Sequence, residues 1–484
     1  MSQSLKQKTV KGVSWSFADN IANQGVTFLV SLVLARLITP EEYGLIGIIT
    51  IFIAVFNSIV DSGFSNALIR KNDIKDIDYY TVFITNMVLS IVLFIAFFFS
   101  AGVIADFFGQ PLLKPLTQVM GIIVIINAFA IIQRTILVKK IDFKTQTKAS
   151  VISSVTSGVI GIVMAFMGYG VWSLVGQQLS RALLYTLCLW LYSHWIPKLQ
   201  FSWTSFKELF RFGWNLLVSA LIDTVWREIY QVVIGKCYTP ATLGQYTRAQ
   251  QFASVFSSNL SSVVQRVSYP VLSTLQDDKL RMKEGYRRVI KITMLVTFVL
   301  MLGLAAVSKP MILVLVGDQW LMAAELLPII CLNMMLYPLH SLNLNMLQVQ
   351  GRSDLFLKLE IIKKCIAVIP ILMGIFISIY WMLWGSVISG LFAYYLNSYY
   401  SGKFLDYSIV SQVKDILPSL GIAATMSIIT YTVSLLPLSP FIILPVQIII
   451  GVGVVFILCE WIKLSEYIEI KSMAVSILQK VRHK

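Results

Sequence analysis

Residues 34–44, "LARLITPEEYG", and residues 234–244, "IGKCYTPATLG", write one pattern twice: an apolar run, a cation, then Thr-Pro, three residues and Gly. Thr39-Pro40 corresponds to Thr239-Pro240, Gly44 to Gly244 and Arg36 to Lys236. As a local feature this is a good turn, because Pro opens a helix and Gly relaxes the backbone. Further matches extend it in order. Lys11 answers Arg211, "FGQ" at 108–110 answers "VGD" at 316–318, and Trp172 answers Trp384. A chain duplication explains ordered matches better than chance does.

The composition says where the copies reside. Of 484 residues, 57% are hydrophobic and 13% charged. Soluble domains carry about 25% charged residues, so the chain reads as an integral membrane protein. A membrane helix needs about 20 mostly apolar residues. Fourteen such spans are expected, near 12–38, 41–69, 80–107, 114–137, 147–168, 170–193, 207–236, 241–268, 285–307, 323–349, 355–379, 381–402, 414–436 and 440–461. The predicted fold is all-α, since a lone helix satisfies its own backbone in lipid. Six spans make one copy and six the next, so both copies start on the same side, the parallel-repeat arrangement of some transporters. The expected divisions are an N-lobe at 1–200, a C-lobe at 201–403, and an appended helix pair with tail at 404–484.

The net charge of +15 raises the question of nucleic acid, but the placement of the cations answers it. With both termini cytoplasmic, only Arg36, Lys114, Lys236 and Lys309 fall in outer loops, and the other loop cations are cytoplasmic. That bias orients membrane proteins. The run Lys279, Arg281, Lys283, Arg287, Arg288, Lys291 then reads as a topogenic loop with anionic lipid as a secondary contact. Nucleic acid is not an expected partner. The first span carries Asp19, Asn20, Asn23 and Gln24, unlike a signal-peptide core. The five cysteines are scattered singly, which suggests neither disulfides nor zinc.

Spans 1, 2, 7 and 8 bear polar stripes at helical spacing. Span 1 has Asn20 and Asn23; span 2 has Asn57 and Asp61; span 7 has Asn215, Asp223 and Arg227; span 8 has Arg248, Gln251 and Ser258. A central charge facing lipid costs about 2.5–3.5 kcal/mol. The set is therefore expected to line a wet cavity between the two copies or to pair internally. Arg248, Arg181, Arg227 and Arg266 are the candidate anion contacts, with Asp223 and Arg227, four apart, also suited to pairing with each other. Asp19 and Asp61 are candidates for a coupling H+ or Na+, or for pairing with arginines. His340 reads as a satisfied polar residue. Pro328 and Pro338 predict kinks in one span.

No GxxxxGK[ST] loop and no HExxH motif is present, so neither direct ATP use nor a zinc hydrolase is expected. No outer loop is long enough for a catalytic domain. The expectation is a transporter without cofactor, not an enzyme.

The stretches "LARLITPEEYGLIGI", "FSNALIRK", "YGVWSLVGQQLSRAL", "FGWNLLVSALIDTVWREIYQVVIGKCYTPATLGQYTRAQQF" and "GRSDLFLKLEIIKK" resemble the Wzx-type polysaccharide transporters, in the branch of colanic-acid and teichuronic-acid exporters. The resemblance implies the fold of the multidrug/oligosaccharidyl-lipid/polysaccharide superfamily, two six-helix lobes in a V. It implies as cargo an oligosaccharide repeat unit on undecaprenyl pyrophosphate, flipped to the periplasmic leaflet, and as partners the lipid bilayer and a polysaccharide polymerase with chain-length machinery. Lipid II flippases of that superfamily carry basic residues in spans 1, 2 and 8; here Arg248 alone matches, while Asp19 and Asp61 occupy spans 1 and 2. The rivals are a cation-coupled multidrug antiporter of the same fold and a membrane-bound polysaccharide-synthesis enzyme.

Overall fold

The computed structural model describes residues 23–61, 63–71, 73–274, 278–349 and 353–482. Within them the regular structure is helical. In chain order the helices are α1 Asn23–Leu37, α2 Pro40–Asp61, α3 Phe64–Arg70, α4 Asp76–Phe108, α5 Leu113–Met120, α6 Ile122–Lys139, α7 Phe143–Phe166, α8 Val171–Ser193, α9 Trp203–Cys237 and α10 Pro240–Thr274. They continue as α11 Lys279–Ala306, α12 Ser308–Leu315, α13 Leu321–Met334, α14 Tyr337–Val349, α15 Ser353–Phe376, α16 Ile379–Leu405, α17 Ile409–Val433, α18 Pro440–Ile462 and α19 Ser465–Arg482.

Where they are described, the expected spans fall on helices, with residues 12–22 of the first lying outside the described residues; the spans are not equally apolar. Among the described residues, nine helical stretches are long and apolar enough to cross a membrane. The other expected spans lie on α1, whose described part is short, and on α8, α9, α10 and α15. Those four are long enough, and their polar and charged residues lower the apolar content: Gln177, Gln178 and Arg181 in α8, for example, or Lys358, Glu360, Lys363 and Lys364 in α15. The chain is a multi-pass membrane protein.

The chain divides into two compact units, residues 1–244 and 245–484. In the first, an aromatic and aliphatic core joins α3, α4, α6 and α9 through Phe64, Leu68, Phe83, Ile132, Ile136 and Leu209. Helices α7 and α8 approach closely because their facing positions are small. A Cβ on Gly161 would lie 2.7 Å from Gln177, and one on Gly176 would lie 2.4 Å from Met164. Such small-residue contacts replace the hydrophobic drive that lipid does not supply.

The repeated Thr-Pro-x-x-x-Gly turn has a more specific use than the sequence suggests. Thr39 caps α2: its amide and hydroxyl each donate to Glu42 Oε2 at 3.0 Å, and the Glu42 amide lies 3.4 Å from Thr39 Oγ1, a capping box. Thr239 accepts from the Thr242 amide at 3.2 Å in the same way. The glycines do not relax these turns. They lie within the helices, where the first turns of α2 and α10 press together without room for a Cβ. The second match is positional too: Gly109 and Gly317 both adopt positive φ, +66° and +100°, just after a helix.

In the second unit, α11, α14, α16 and α17 share a core of Met282, Tyr286, Ile290, Met294, Phe298, Leu339 and Leu342 with Tyr394 and Ile416. The tenth expected span is broken at Met335–Leu336 into α13 and α14. Pro338 has no N–H to offer the carbonyl four residues back, which belongs to Met334. The buried Ser257 hydroxyl on α10 fills that place, donating to Met334 O at 2.7 Å.

The cation run of α11 is not left to solvent or lipid. Arg287 grips Asp415 through two nitrogens at 2.6 and 2.5 Å, Arg288 meets Glu469 at 2.5 Å, and Lys291 meets Glu466 at 3.0 Å. Lys279 pairs with Asp406 at 2.5 Å. The run therefore ties α11 to the α16–α17 turn, to α17 and to α19. Burial would push the Glu466 carboxyl up, but hydrogen bonds from Ser465 and Lys291 outweigh it and hold the group below its ordinary range.

Candidate functional site

The first unit contains a cavity of about 660 Å³ lined by α2, α3, α6, α8 and α9. Its wall is built in steps from local structure. The last turns of α2 present Asn57 and Asp61, four residues apart and so on one face, with Ser58 beside them. The chain then turns at Gly63, φ +68°, into α3. A Cβ at Gly63 would sit 2.7 Å from Gly213 O on α9, so the turn and the close approach both require glycine. This placement brings Ser65 back over α2, where its hydroxyl donates to Asp61 Oδ1 at 2.5 Å.

Helix α6 supplies the facing wall. Asn127, Ile131, Arg134, Thr135 and Val138 all line the cavity, at the spacing of one helical stripe. Asn127 Nδ2 donates to Asn57 Oδ1 at 3.2 Å. The Thr135 hydroxyl lies 3.2 Å from Ser65 Oγ. Arg134 is exposed; its main-chain carbonyl accepts from Gln146 Nε2 at 3.3 Å. Tyr185 of α8 and Leu216 and Ala220 of α9 complete the lining. Ser58 and Thr224 lie 3.0 Å apart, hydroxyl to hydroxyl, and join α2 to α9. At the end of α3, Lys71 bridges Asp78 at 3.2 Å and Glu208 at 2.9 Å. Burial would lower the Lys71 ammonium, but these two carboxylates hold it above its usual value.

Of the residues expected from sequence, Asn57 and Asp61 line this cavity. Asn23 lies elsewhere in the unit, accepting from Ser154 Oγ at 2.5 Å and from Arg181 Nη2 at 3.2 Å. Arg227 is exposed, 3.7 Å from Glu228 Oε1 and 3.4 Å from Thr224 Oγ1. Asn215 and Asp223 are exposed on the same helix. In the second unit Arg248 is 3% exposed, with Nη1 donating to Gln251 Oε1 at 2.8 Å and its guanidinium 4.9 Å from the centre of the Trp320 ring. Ser258 is exposed. His340 is hydrogen-bonded to Asn397 at 3.2 Å, as a satisfied polar residue should be. Asp19, Asn20 and the side chain of Arg266 lie outside the described residues.

The sequence reading missed Asn127, Arg134, Thr135 and Tyr185. Arg134 falls inside the expected span 114–137, among apolar residues. Its seven-residue spacing from Asn127 was the available signal.

The sequence pattern of a family described as polysaccharide biosynthesis proteins matches residues 33–325. The chain belongs to this family. The chain is 26% identical to the succinoglycan biosynthesis transport protein ExoT of Rhizobium meliloti, over 69% of this chain and 68% of that one. It is 24% identical to the lipopolysaccharide biosynthesis protein WzxC of Escherichia coli, over 77% and 76%, and 25% identical to the teichuronic acid biosynthesis protein TuaB of Bacillus subtilis, over 73% of each. In fold, this polysaccharide biosynthesis protein is similar to the lipid II flippase MurJ in an inward closed conformation. That match has a TM-score of 0.73 and 16% identity and covers 94% of this chain and 98% of that one. An inward-facing multidrug resistance MATE transporter matches with a TM-score of 0.58 and 15% identity, over 83% and 96%. The expected superfamily fold is thereby borne out.

Proposed function

We propose that the protein is a flippase. It moves undecaprenyl-pyrophosphate-linked oligosaccharide repeat units from the cytoplasmic to the periplasmic leaflet of the bacterial inner membrane, for surface polysaccharide synthesis. The observation that carries this reading is a polar, charge-bearing cavity inside a membrane-embedded unit of a polysaccharide biosynthesis protein. Fold alone does not choose the cargo, since a lipid II flippase and a multidrug transporter share it. Family membership favours the glycolipid.

The headgroup occupies the hydrophilic interior while the polyprenyl tail stays in lipid, and the lobes at 1–200 and 201–403 alternate in exposing it. Arg248, Arg181, Arg227 and Arg266 are the sequence-derived candidates to offset phosphate charge. A proton or Na+ gradient supplies the drive, both termini face the cytoplasm, and a polysaccharide polymerase receives the product. The test is deletion of the gene, with lipid-linked sugars then quantified on each leaflet. The reading requires intermediates to build up on the cytoplasmic leaflet, and their absence there would refute it.

A further inference from the structure

Asp61 and Arg134 share the cavity of the first unit, and among the described residues neither is ion-paired. This separates Arg134 from the arginines that sequence alone singled out. Arg181 is engaged by Asn23, Arg227 by Glu228, and Arg248 by Gln251 and Trp320. Arg134 offers a planar set of donors suited to two oxygens of a phosphate. Asp61 receives one hydroxyl, from Ser65, and an ionised carboxylate has room for several donors. The same lining carries the amides of Asn57, Asn66 and Asn127 and the hydroxyls of Ser58, Thr135 and Tyr185. Amides both donate and accept, so this lining matches a ligand covered in hydroxyls. The volume lies within the range of small-molecule sites.

We infer that this cavity is a glycosyl-phosphate site, in which Arg134 contacts the phosphate and Asp61 accepts hydroxyls of the attached sugar. The inference rests on the flippase reading for its biological cargo, but the site is defined by its own chemistry. A ligand with only an anion leaves Asp61 unanswered, and one with only hydroxyls leaves Arg134 unanswered. The ligand that answers both carries a phosphate as well as a sugar.

Calorimetry on the full-length protein in detergent, with a hexose 1-phosphate, the free hexose and inorganic phosphate as probes, tests the site. The hexose 1-phosphate should bind more tightly than either part. Arg134→Gln should weaken it by roughly tenfold or more and leave the free hexose unaffected. Asp61→Asn should weaken both sugar probes and spare phosphate. Arg134→Lys keeps the charge and loses the two-pronged geometry, so it should fall between wild type and Arg134→Gln; it also serves if the glutamine variant does not fold. Equal binding of phosphate and hexose 1-phosphate, or unchanged binding in the variants, overturns the site. Translocation of lipid-linked oligosaccharide in reconstituted vesicles separates the two readings. Wild-type binding without translocation removes the flippase reading and leaves the site. Translocation with binding indifferent to Arg134 and Asp61 does the reverse.

Discussion

Gly44 and Gly244 each lie against the proline that opens the other's helix. A Cβ on Gly44 would fall 1.8 Å from Pro240 O, and one on Gly244 would fall 1.9 Å from Pro40 O. The contact is reciprocal, as two copies of one turn related by a pseudo-two-fold would make it. The repeated turn is thus a contact surface.

Alanine at either glycine should destabilise the protein. Gly→Ala within a helix ordinarily gains about 0.5–1 kcal/mol. Here the added methyl overlaps backbone atoms, and overpacking of this kind costs about 1–3 kcal/mol or more. Gly102, in α4, has nothing within 4 Å of its would-be Cβ. Gly102→Ala should raise the unfolding midpoint or leave it unchanged, whereas Gly44→Ala and Gly244→Ala should each lower it. Thermal unfolding in detergent makes the comparison, and a stable Gly44→Ala protein would contradict the close contact.

Ser257 and Pro338 should show strong thermodynamic coupling. Ser257→Ala leaves the Met334 carbonyl without its donor, a loss of about 1–3 kcal/mol for a buried polar group. In a Pro338→Ala background the new backbone N–H can serve that carbonyl, and the same serine substitution should cost much less. A double-mutant cycle measures the difference; simple additivity would show that the serine does not replace the missing N–H.

Glu466 gives the contact between α11 and α19 a pH dependence of known sign. Its carboxyl is held below the ordinary value of 4.5 in the folded protein. A group depressed on folding contributes stability that is full above its unfolded pKa and is lost as pH falls through the folded one. Stability should therefore decline on acidification below about pH 4.5. Glu466→Gln should flatten that part of the profile and lower stability at neutral pH, where Lys291 loses its charged partner. Unfolding midpoints between pH 3 and pH 7 provide the readout, and parallel profiles for the two proteins would exclude the assignment.

Helix positions were legible because hydropathy and the duplicated turn speak through many residues at once. Among the described residues the expected spans fall on helices, down to the division at Met167–Gly170 between α7 and α8. Partnerships were not legible. Spacing along one helix suggested Arg227 with Asp223, yet the structure also sets Arg227 beside Glu228, its immediate neighbour. The stripe on α6 escaped notice because its polar residues sit among Ile123, Val124, Ile131 and Ile136, so the average looked apolar. The glycines of the repeat were misassigned to turn flexibility for a related reason. Close approach between distant segments leaves no mark in either segment alone.

The polarity of α9 bears on how the protein enters the membrane in the first place. Asp223, Arg227 and Glu228 lie near its middle, and each central charge opposes partitioning from the translocon by about 2.5–3.5 kcal/mol. Helix α2 is synthesised earlier and already offers Ser58 to Thr224 and the Gly63 turn to Gly213. Helix α9 should then insert by docking on a preassembled neighbour rather than by dissolving in lipid alone. Glycosylation mapping should find it inserted when translated behind residues 1–202 and largely translocated when translated by itself. In this chain the order of biosynthesis would then be part of what lets so polar a helix enter the membrane.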